Sequence, residues 1–318
     1  FLFIFAGCSS ETTTSDVENK IVEIVITKVG YNPIFYPLEN SKVEMPEGLD
    51  VKLKSAGYSQ AELYTLSSNS NLVGILSNIN IGKAYLEGEK YKIIAPYYRE
   101  IVGPENFSMG QLVSLKESGI MSVKDLEGKK VGIQGAADGS TIAMMTAMKN
   151  KYQVNLDLIE FIAVESQMAP QLVKSGELDA AMFDSDYLIA DDFNQNFKTV
   201  QDFGKDLFEL YGVVPPAKFF VVKKETYEKD PQLFKDAVEF IRKNYQWSKE
   251  NIEEISRLEA DATGEDYNTL VWKSDYESRL DKLTQKDLVA YQAFYETAKD
   301  REVISEVPNL DDLFVVEN

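Results

Sequence analysis

The chain has no histidine among its 318 residues and only one cysteine, Cys8. Histidine is the commonest general base near neutral pH and the commonest zinc ligand. A single cysteine allows neither an intrachain disulfide nor a cysteine metal cluster. These two absences remove most candidates for hydrolase triads and zinc sites, so we expect no catalytic residues, no metal and no cofactor.

Basic residues are scarce relative to acidic ones. Lys and Arg total 33 against 52 Asp and Glu, which gives a formal net charge of −19. A field of that sign repels the phosphates of nucleic acids. The acidic residues are spread along the chain, as on an ordinary soluble surface. Nucleic acid is therefore not expected as a partner, and the charge by itself indicates no ligand.

Long apolar runs are also missing, since no segment reaches the length of about 18 residues that a membrane span needs. A short run, Phe1 to Ala6, leads into Gly7 and Cys8, and a polar tract follows from Ser9 to Asp16. The pattern resembles the end of a bacterial lipoprotein signal peptide, which is cut before an acylated cysteine. That resemblance implies a signal remnant, a lipidated Cys8 and a tether in residues 1–20, with the protein anchored to the membrane outside the cytoplasm. A buried apolar strand is the alternative interpretation.

The length allows two domains with separate cores. Short β-branched or alternating runs predict strands, and helical spacing predicts the segments between them. The predicted strands are 21–26, 50–54, 72–76, 91–95, 130–133, 158–164 and 180–183; the predicted helices are 59–66, 77–86, 140–152 and 166–175, with a loop and helix at 184–190. This alternation indicates βαβ crossovers, mainly parallel sheets and binding loops at the carboxyl ends of strands.

The last hundred residues differ, because 231–249 and 280–299 have helical spacing and almost no strand signal. Two further predicted strands, 111–115 and 219–222, are candidates for the places where the chain crosses between lobes. We therefore expect a helical C-terminal region.

The segment from Ser122 to Ile133, SVKDLEGKKVGI, resembles a signature of type II periplasmic binding proteins. It is most similar to the nitrate, sulfonate and taurine branch, which includes binders of thiamine precursors. The resemblance continues at 139–141, 172–181, 216–224 and 230–231. It implies an α/β fold with two lobes, each a mainly parallel sheet flanked by helices. The first lobe would comprise 21–112 and 217–318 with the C-terminal helices, and the second 113–216.

The same resemblance implies the solute-binding protein of an ABC importer. Such a protein captures a small solute between its lobes and delivers it to a membrane permease driven by an ATPase subunit, without chemistry on the solute. We expect a monomer whose partners are the ligand, the permease with its ATPase, and the membrane.

Candidate ligand contacts begin with the turn from Gly135 to Thr141, which delivers the amino end of a predicted helix. Unpaired backbone N–H groups and the helix dipole at such an end favour an anionic group. One helix end stabilises an exposed charge by only about 0.3 to 1 kcal/mol, so the other lobe must contribute. The candidates at this helix end are Gly139, Ser140 and Thr141.

Arg99 is the only arginine before Arg242 and, with Tyr97, follows a predicted strand. After the other strands, Tyr31 and Asn32 offer an aromatic wall and an amide, and Ser77 and Asn78 offer small polar contacts. Asp184 and Tyr187 follow a predicted strand of the second lobe, and the family resemblance implies ligand contacts near Asp184. Each also has a structural interpretation, as a surface or loop residue or, for Asp184, a helix cap.

Four functions are compatible with these observations. The favoured one is capture of a sulfonate, taurine or nitrate-like anion or zwitterion. A second is capture of a thiamine precursor or other flat heterocycle stacked on Tyr31, Tyr97 or Tyr98. An enzyme of the same fold, such as a dehydratase, is less favoured, and the related thiamine-pyrimidine synthases need a histidine that is missing here. A purely structural role would predict no saturable binding of small molecules.

Overall fold

The chain folds around two β-sheets, each flanked by helices, in a computed structural model. The first sheet is built from both ends of the sequence and the second from its middle. The structure describes residues 20–26, 35–56, 67, 71–100, 110–183, 187, 193–268, 270–271, 277–278 and 281–316.

The first sheet has the strand order β11-β4-β10-β3-β1-β2. Its strands are β1 (Lys20–Ile26), β2 (Leu49–Ser55), β3 (Leu72–Ser77), β4 (Tyr91–Glu100), β10 (Lys218–Lys223) and β11 (Glu277–Ser278). β1 is parallel to both β2 and β3, whereas β10 is antiparallel to β3 and β4, and β11 is antiparallel to β4. Most apolar residues of β1, β3 and β10 are buried, as expected for strands covered on both faces.

The second sheet has the order β7-β6-β8-β5-β9. Its strands are β5 (Gln111–Leu115), β6 (Lys130–Ile133), β7 (Glu160–Ala163), β8 (Ala180–Phe183) and β9 (Phe197–Asp202). β6 is parallel to β7 and β8, and β5 is antiparallel to β8 and β9.

Both sheets are mixed, which modifies the expectation of mainly parallel sheets. The antiparallel strands β5 and β10 are the first strands of each sheet after the chain has left the other one. A strand that arrives from the opposite sheet enters at the edge facing that sheet and must run away from it. The two crossings therefore lie between Glu100 and Gln111 and between Asp202 and Lys218.

The helices fill the connections and form the C-terminal region. They are α1 (Tyr36–Glu39), α2 (Asn78–Leu86), α3 (Gly139–Tyr152), α4 (Ala169–Ser175), α5 (Phe193–Asn196), α6 (Phe203–Tyr211), α7 (Lys224–Lys229), α8 (Pro231–Glu250), α9 (Ile252–Thr263), α10 (Gln285–Asp300) and α11 (Leu310–Leu313). The long helices α8 and α10 confirm the predicted helical C-terminal region. In the part of the chain described, no helix is both long and apolar enough to span a bilayer.

Apolar packing distinguishes the two faces of the molecule. One buried cluster contains residues of both sheets, of α2, α3 and α6, and of the C-terminal helix α10. On the opposite faces, the first and second sheets have separate clusters. Among the described residues, the lobes are thus joined by a common core on one side, here called the hinge side. The side with two separate clusters is called the open side.

Candidate functional site

Two helices begin at the edges where the sheets face each other. α2 follows β3 directly, and its first turn is closed by neutral groups. The Ser77 hydroxyl oxygen accepts from the Asn80 N–H at 3.4 Å, and the Asn78 Oδ1 accepts from the Ile79 N–H at 2.7 Å. Serine is a preferred N-cap because its oxygen satisfies an N–H that lacks a helical partner.

α3 begins on the facing lobe and is closed by a carboxylate. Asp138 Oδ1 accepts from the Ser140 N–H at 2.9 Å and from the Thr141 N–H at 3.0 Å. The expectation that these N–H groups are unpaired is therefore wrong. Because Asp138 already places a negative charge at the positive end of the helix, this end is less favourable for a second anion than the sequence suggested.

The starts of the two helices touch. A Cβ atom built on Gly139 would lie 2.3 Å from the Asn78 Oδ1, so only glycine allows this approach. Asn78 is 3% exposed. The structure therefore brings together Ser77, Asn78, Gly139 and Ser140, which the sequence analysis had selected separately from the two lobes.

A small cavity of about 30 Å³ lies at this junction. That volume accommodates about one water molecule. Its lining comes from both helix starts, from α6, from the second crossing and from α10: Asn78, Gly139, Ser140, Ala143, Phe203, Gly204, Leu207, Val214, Pro215, Ala217 and Phe294. The interlobe junction is therefore nearly closed on the hinge side.

The C-terminal helix α10 packs against the junction on the hinge side and donates two hydrogen bonds to its backbone. The Tyr295 hydroxyl donates to the Asn78 carbonyl oxygen at 2.7 Å, and the Tyr291 hydroxyl donates to the Pro216 carbonyl oxygen. Burial raises the pKa of Tyr295, which keeps its hydroxyl protonated and able to donate. A Cβ on Gly82 would lie 2.5 Å from the Tyr295 ring, so α2 and α10 are in close contact.

α10 also reaches the second lobe through its charged end. Lys149 on α3 pairs with Asp300 at 2.5 Å, and Arg301 pairs with Asp157 at 2.6 Å. These groups are partly exposed, so each pair contributes about 0 to 1 kcal/mol. The apolar contacts of α10 with both lobes provide the larger part of this connection.

The open side carries several candidate contacts from the first lobe. Alternation along β3 and β10 places Ser77 and Lys218 on the face of the separate first-sheet cluster, and the two residues are register partners. Tyr97 lies on the same face, and the centroid of its ring is 6.4 Å from that of Phe35 and 5.5 Å from that of Phe220. Lys218 places a half-buried cation between the carboxyl ends of β3 and β4.

Two candidates on the second lobe are positioned less favourably for a solute. The Thr141 side chain is fully buried and its hydroxyl contacts the Met182 sulfur at 3.6 Å, so it faces the core. The Tyr187 ring packs on Phe183, and its hydroxyl donates to the Gln167 carbonyl oxygen at 3.4 Å. Ser140 remains half-buried beside the cavity.

The side chains of the remaining candidates are not among those that the structure describes. Cys8, Tyr31, Asn32 and Asp184 lie outside the described residues. The backbone of Arg99 is described, and it pairs with Ser278 at the carboxyl end of β4. That position is on the edge of the first sheet that faces the second lobe, but the Arg99 side chain is also outside the description.

The sequence analysis missed two charged groups at this junction. Asp138 could have been found as an Asp before a helical segment, which is the usual sign of an N-cap. Lys218 lies within the segment 216–224 of the family resemblance, but no sequence pattern distinguishes it from a surface lysine. Among the described residues, no three acidic or cysteine side chains are grouped to hold a metal ion.

Comparison with solved structures identifies the fold. The periplasmic aliphatic sulphonate-binding protein SsuA of Escherichia coli matches with a TM-score of 0.71 and 14% identity, over 95% of this chain and 94% of that one. The alkanesulfonate-binding protein SsuA of Xanthomonas axonopodis pv. citri, bound to MOPS, matches with a TM-score of 0.64 and 12% identity, over 94% and 99%.

The same fold also occurs in an enzyme. The desulfurization enzyme DSZB matches with a TM-score of 0.59 and 11% identity, over 94% of this chain and 97% of that one. No curated protein matches the sequence significantly. At these identities the structural matches establish the two-lobed α/β fold of periplasmic binding proteins and leave function to the site.

A family model supplies the relationship in sequence. The NMT1/THI5-like family matches residues 45–255, which is more than half of the chain and includes both helix starts and both crossings. This match shows that the chain belongs to the NMT1/THI5-like family.

Proposed function

We propose that the protein is the extracytoplasmic solute-binding component of an ABC importer, and that it captures a small zwitterionic or anionic solute between its lobes. The observation that carries the proposal is the meeting of two helix starts from facing lobes beside a small interlobe cavity. The first-turn N–H groups described at both starts are bonded to their caps, so the feature that favours an oxyanion is the positive dipole end of α2, which only neutral groups cap.

The charges at the junction favour a zwitterion. The start of α2 is closed by neutral groups and lies beside Lys218, which suits a sulfonate or similar oxyanion. The start of α3 carries the Asp138 carboxylate, which suits an ammonium group. A zwitterionic sulfonate such as taurine satisfies both ends, whereas nitrate would leave Asp138 without a counter-charge. The SsuA relative bound to MOPS holds a ligand with the same two charges.

The lobe boundaries fit this function. In the proposal, residues 21–112 and 217–318 form the first lobe and 113–216 the second, with α10 spanning the hinge side. Closure would move the open faces together around the solute, and the closed form would dock on the permease. Acylation of Cys8 would hold the protein at the membrane surface near that permease.

An enzyme is less well supported. The fold admits one, as the desulfurization enzyme shows. The chain has no histidine, however, that could act as the general base for a hydroxyl nucleophile such as Ser77 or Ser140 at the junction. Binding alone requires none of these groups to react.

A ligand panel tests the proposal. The purified chain is heated with taurine, ethanesulfonate, nitrate, bicarbonate, an amino acid or a pyrimidine, and the unfolding midpoint is recorded. A ligand at a hundredfold excess over its dissociation constant should stabilise the fold by about 2.7 kcal/mol. We expect the largest rise with taurine. A rise with pyrimidines alone would instead indicate capture of a flat heterocycle, and no rise with any compound would contradict the binding function.

A further inference from the structure

A buried side-chain amide at the edge of the second sheet that faces the first lobe lacks a hydrogen-bond partner for its N–H₂ group. Gln111 is 1% exposed, and its Oε1 accepts from the Thr199 hydroxyl at 2.6 Å. Its Nε2 has no partner in the structure. Buried polar groups are hydrogen-bonded in the great majority of cases, so an unpartnered N–H₂ group requires an explanation.

The position of Gln111 in β5 is fixed by the two neighbouring strands. It is the first residue of β5, and its register partners are Phe183, the last residue of β8, and Asp202, the last residue of β9. The carboxyl ends of β8 and β9 are at the edge that faces the first lobe. Gln111 therefore lies at this edge, directly after the first crossing.

The side chain of Gln111 faces the open side. Residues paired across β5 and β8 point to the same face, and Phe183 belongs to the separate cluster of the second sheet. The next residue, Leu112, pairs with Met182 and points into the common core on the hinge side. The amide of Gln111 is thus placed on the side where the lobes are not joined.

The backbone beside Gln111 is held rigidly. The Phe203 N–H donates to the Gly110 carbonyl oxygen at 3.1 Å, and a Cβ on Gly110 would lie 2.1 Å from the Phe203 ring. The Thr199 bond fixes the Oε1 of the amide, which sets the direction of the Nε2 as well. A donor fixed in this way is suited to recognise an acceptor without further ordering.

The geometry points to Gln111 as a specificity-determining residue that donates from Nε2 to an acceptor oxygen of the captured solute. This inference rests on the proposed solute-binding function and adds a donor from the second lobe that no motif indicated. The class of ligand it selects carries an acid oxygen, such as that of a sulfonate or carboxylate.

Gln201, on the neighbouring strand β9, provides a matched control. Gln201 is 2% exposed and pairs with Leu112, so it lies on the hinge-side face, and its Nε2 donates to Asp206 at 3.1 Å. Its Oε1 is also unpartnered. Gln201 therefore matches Gln111 in residue type and burial but not in the face on which it lies.

The test compares Gln111→Met and Gln201→Met by calorimetric titration with taurine and with MOPS, and by unfolding without ligand. We expect Gln111→Met to weaken binding about tenfold, the effect of one lost hydrogen bond to a charged group. Its ligand-free unfolding midpoint should change little, because loss of the Thr199 hydrogen bond and removal of an unpartnered N–H₂ act in opposite directions. Gln201→Met should lower the midpoint and leave affinity unchanged.

The outcomes separate the two proposals. Gln111→Glu provides a second variant, which keeps the shape and the Thr199 bond but replaces the donor with an acceptor, and it should weaken binding more than Gln111→Met. Unchanged affinity in both Gln111 variants, with the wild type binding normally, would overturn the role of Gln111 alone. Failure of the wild type to bind either sulfonate would overturn the sulfonate-binding function, and the role of Gln111 with it.

Discussion

The two helices that begin at the interlobe junction differ in how their first turns are closed. α2 is closed by Ser77 and Asn78, which are neutral, and is held from behind by Tyr295. α3 is closed by the Asp138 carboxylate, and its next residues are half-buried beside the cavity. Two helix starts of similar geometry therefore need not attract the same charge, because the capping residue determines the net charge at each helix end.

The largest effect is expected where the two starts touch. In Gly139→Ala the added Cβ would lie 2.3 Å from the Asn78 Oδ1, which is buried and already accepts from the Ile79 N–H. Overpacking of this kind costs about 1 to 3 kcal/mol. We expect a lower free energy of unfolding in urea and weaker taurine binding, because the lobes cannot approach as closely.

Gly135→Ala is the control for that variant. A Cβ on Gly135 meets nothing within 4 Å, so the same change in the same turn should leave the free energy of unfolding unchanged. Equal behaviour of the two variants would show that the close contact between Asn78 and Gly139 is absent in solution.

A smaller effect is expected behind α2. Tyr295→Phe removes the hydroxyl that donates to the Asn78 carbonyl oxygen at 2.7 Å and keeps the ring against Gly82. Loss of a buried hydrogen bond lowers the free energy of unfolding by about 1 kcal/mol. Urea unfolding measures this, with Tyr211→Phe as the control, because the Tyr211 hydroxyl bonds to Asn150 near the surface. A larger loss in the control would contradict the role assigned to Tyr295.

The smallest effect concerns the charged end of α10. Asp300→Asn with Asp157→Asn removes the pairs with Lys149 and Arg301. Because these groups are partly exposed, we expect a loss of less than about 1 kcal/mol that disappears in high salt. A loss that persists at 1 M salt would indicate that the α10 end joins the lobes more strongly than its exposure allows.

Several strands and helices could be predicted from local sequence patterns alone. β5, β6 and β8 have the predicted bounds, and the helix expected after Gly139 is present. The strand expected over 158–164 is limited to Glu160–Ala163, because a 3₁₀ turn at Leu156–Leu158, capped by Asn155, occupies its beginning. Strand direction was not predictable, since alternation reports burial and is the same in parallel and antiparallel strands.

The site was predictable only in part, for a similar reason. Ser77, Asn78, Gly139 and Ser140 were selected because each follows a strand or opens a helix. Their meeting depends on a contact between distant parts of the chain, which local patterns do not contain. The roles of Lys218 and Gln111 depend on which face of a strand they occupy and on which face the lobes are joined, and only the packed core decides that.

The most direct test of the central claim, that a zwitterion is held between a neutral and an acidic helix start, is the relative affinity for taurine and ethanesulfonate in the wild type and in Asp138→Asn. The two ligands differ by the ammonium group, and asparagine can still cap α3. Asp230→Asn, a carboxylate cap on α8, is the control. We predict that the wild type prefers taurine and that Asp138→Asn reduces this preference about tenfold, whereas an unchanged preference would contradict the account.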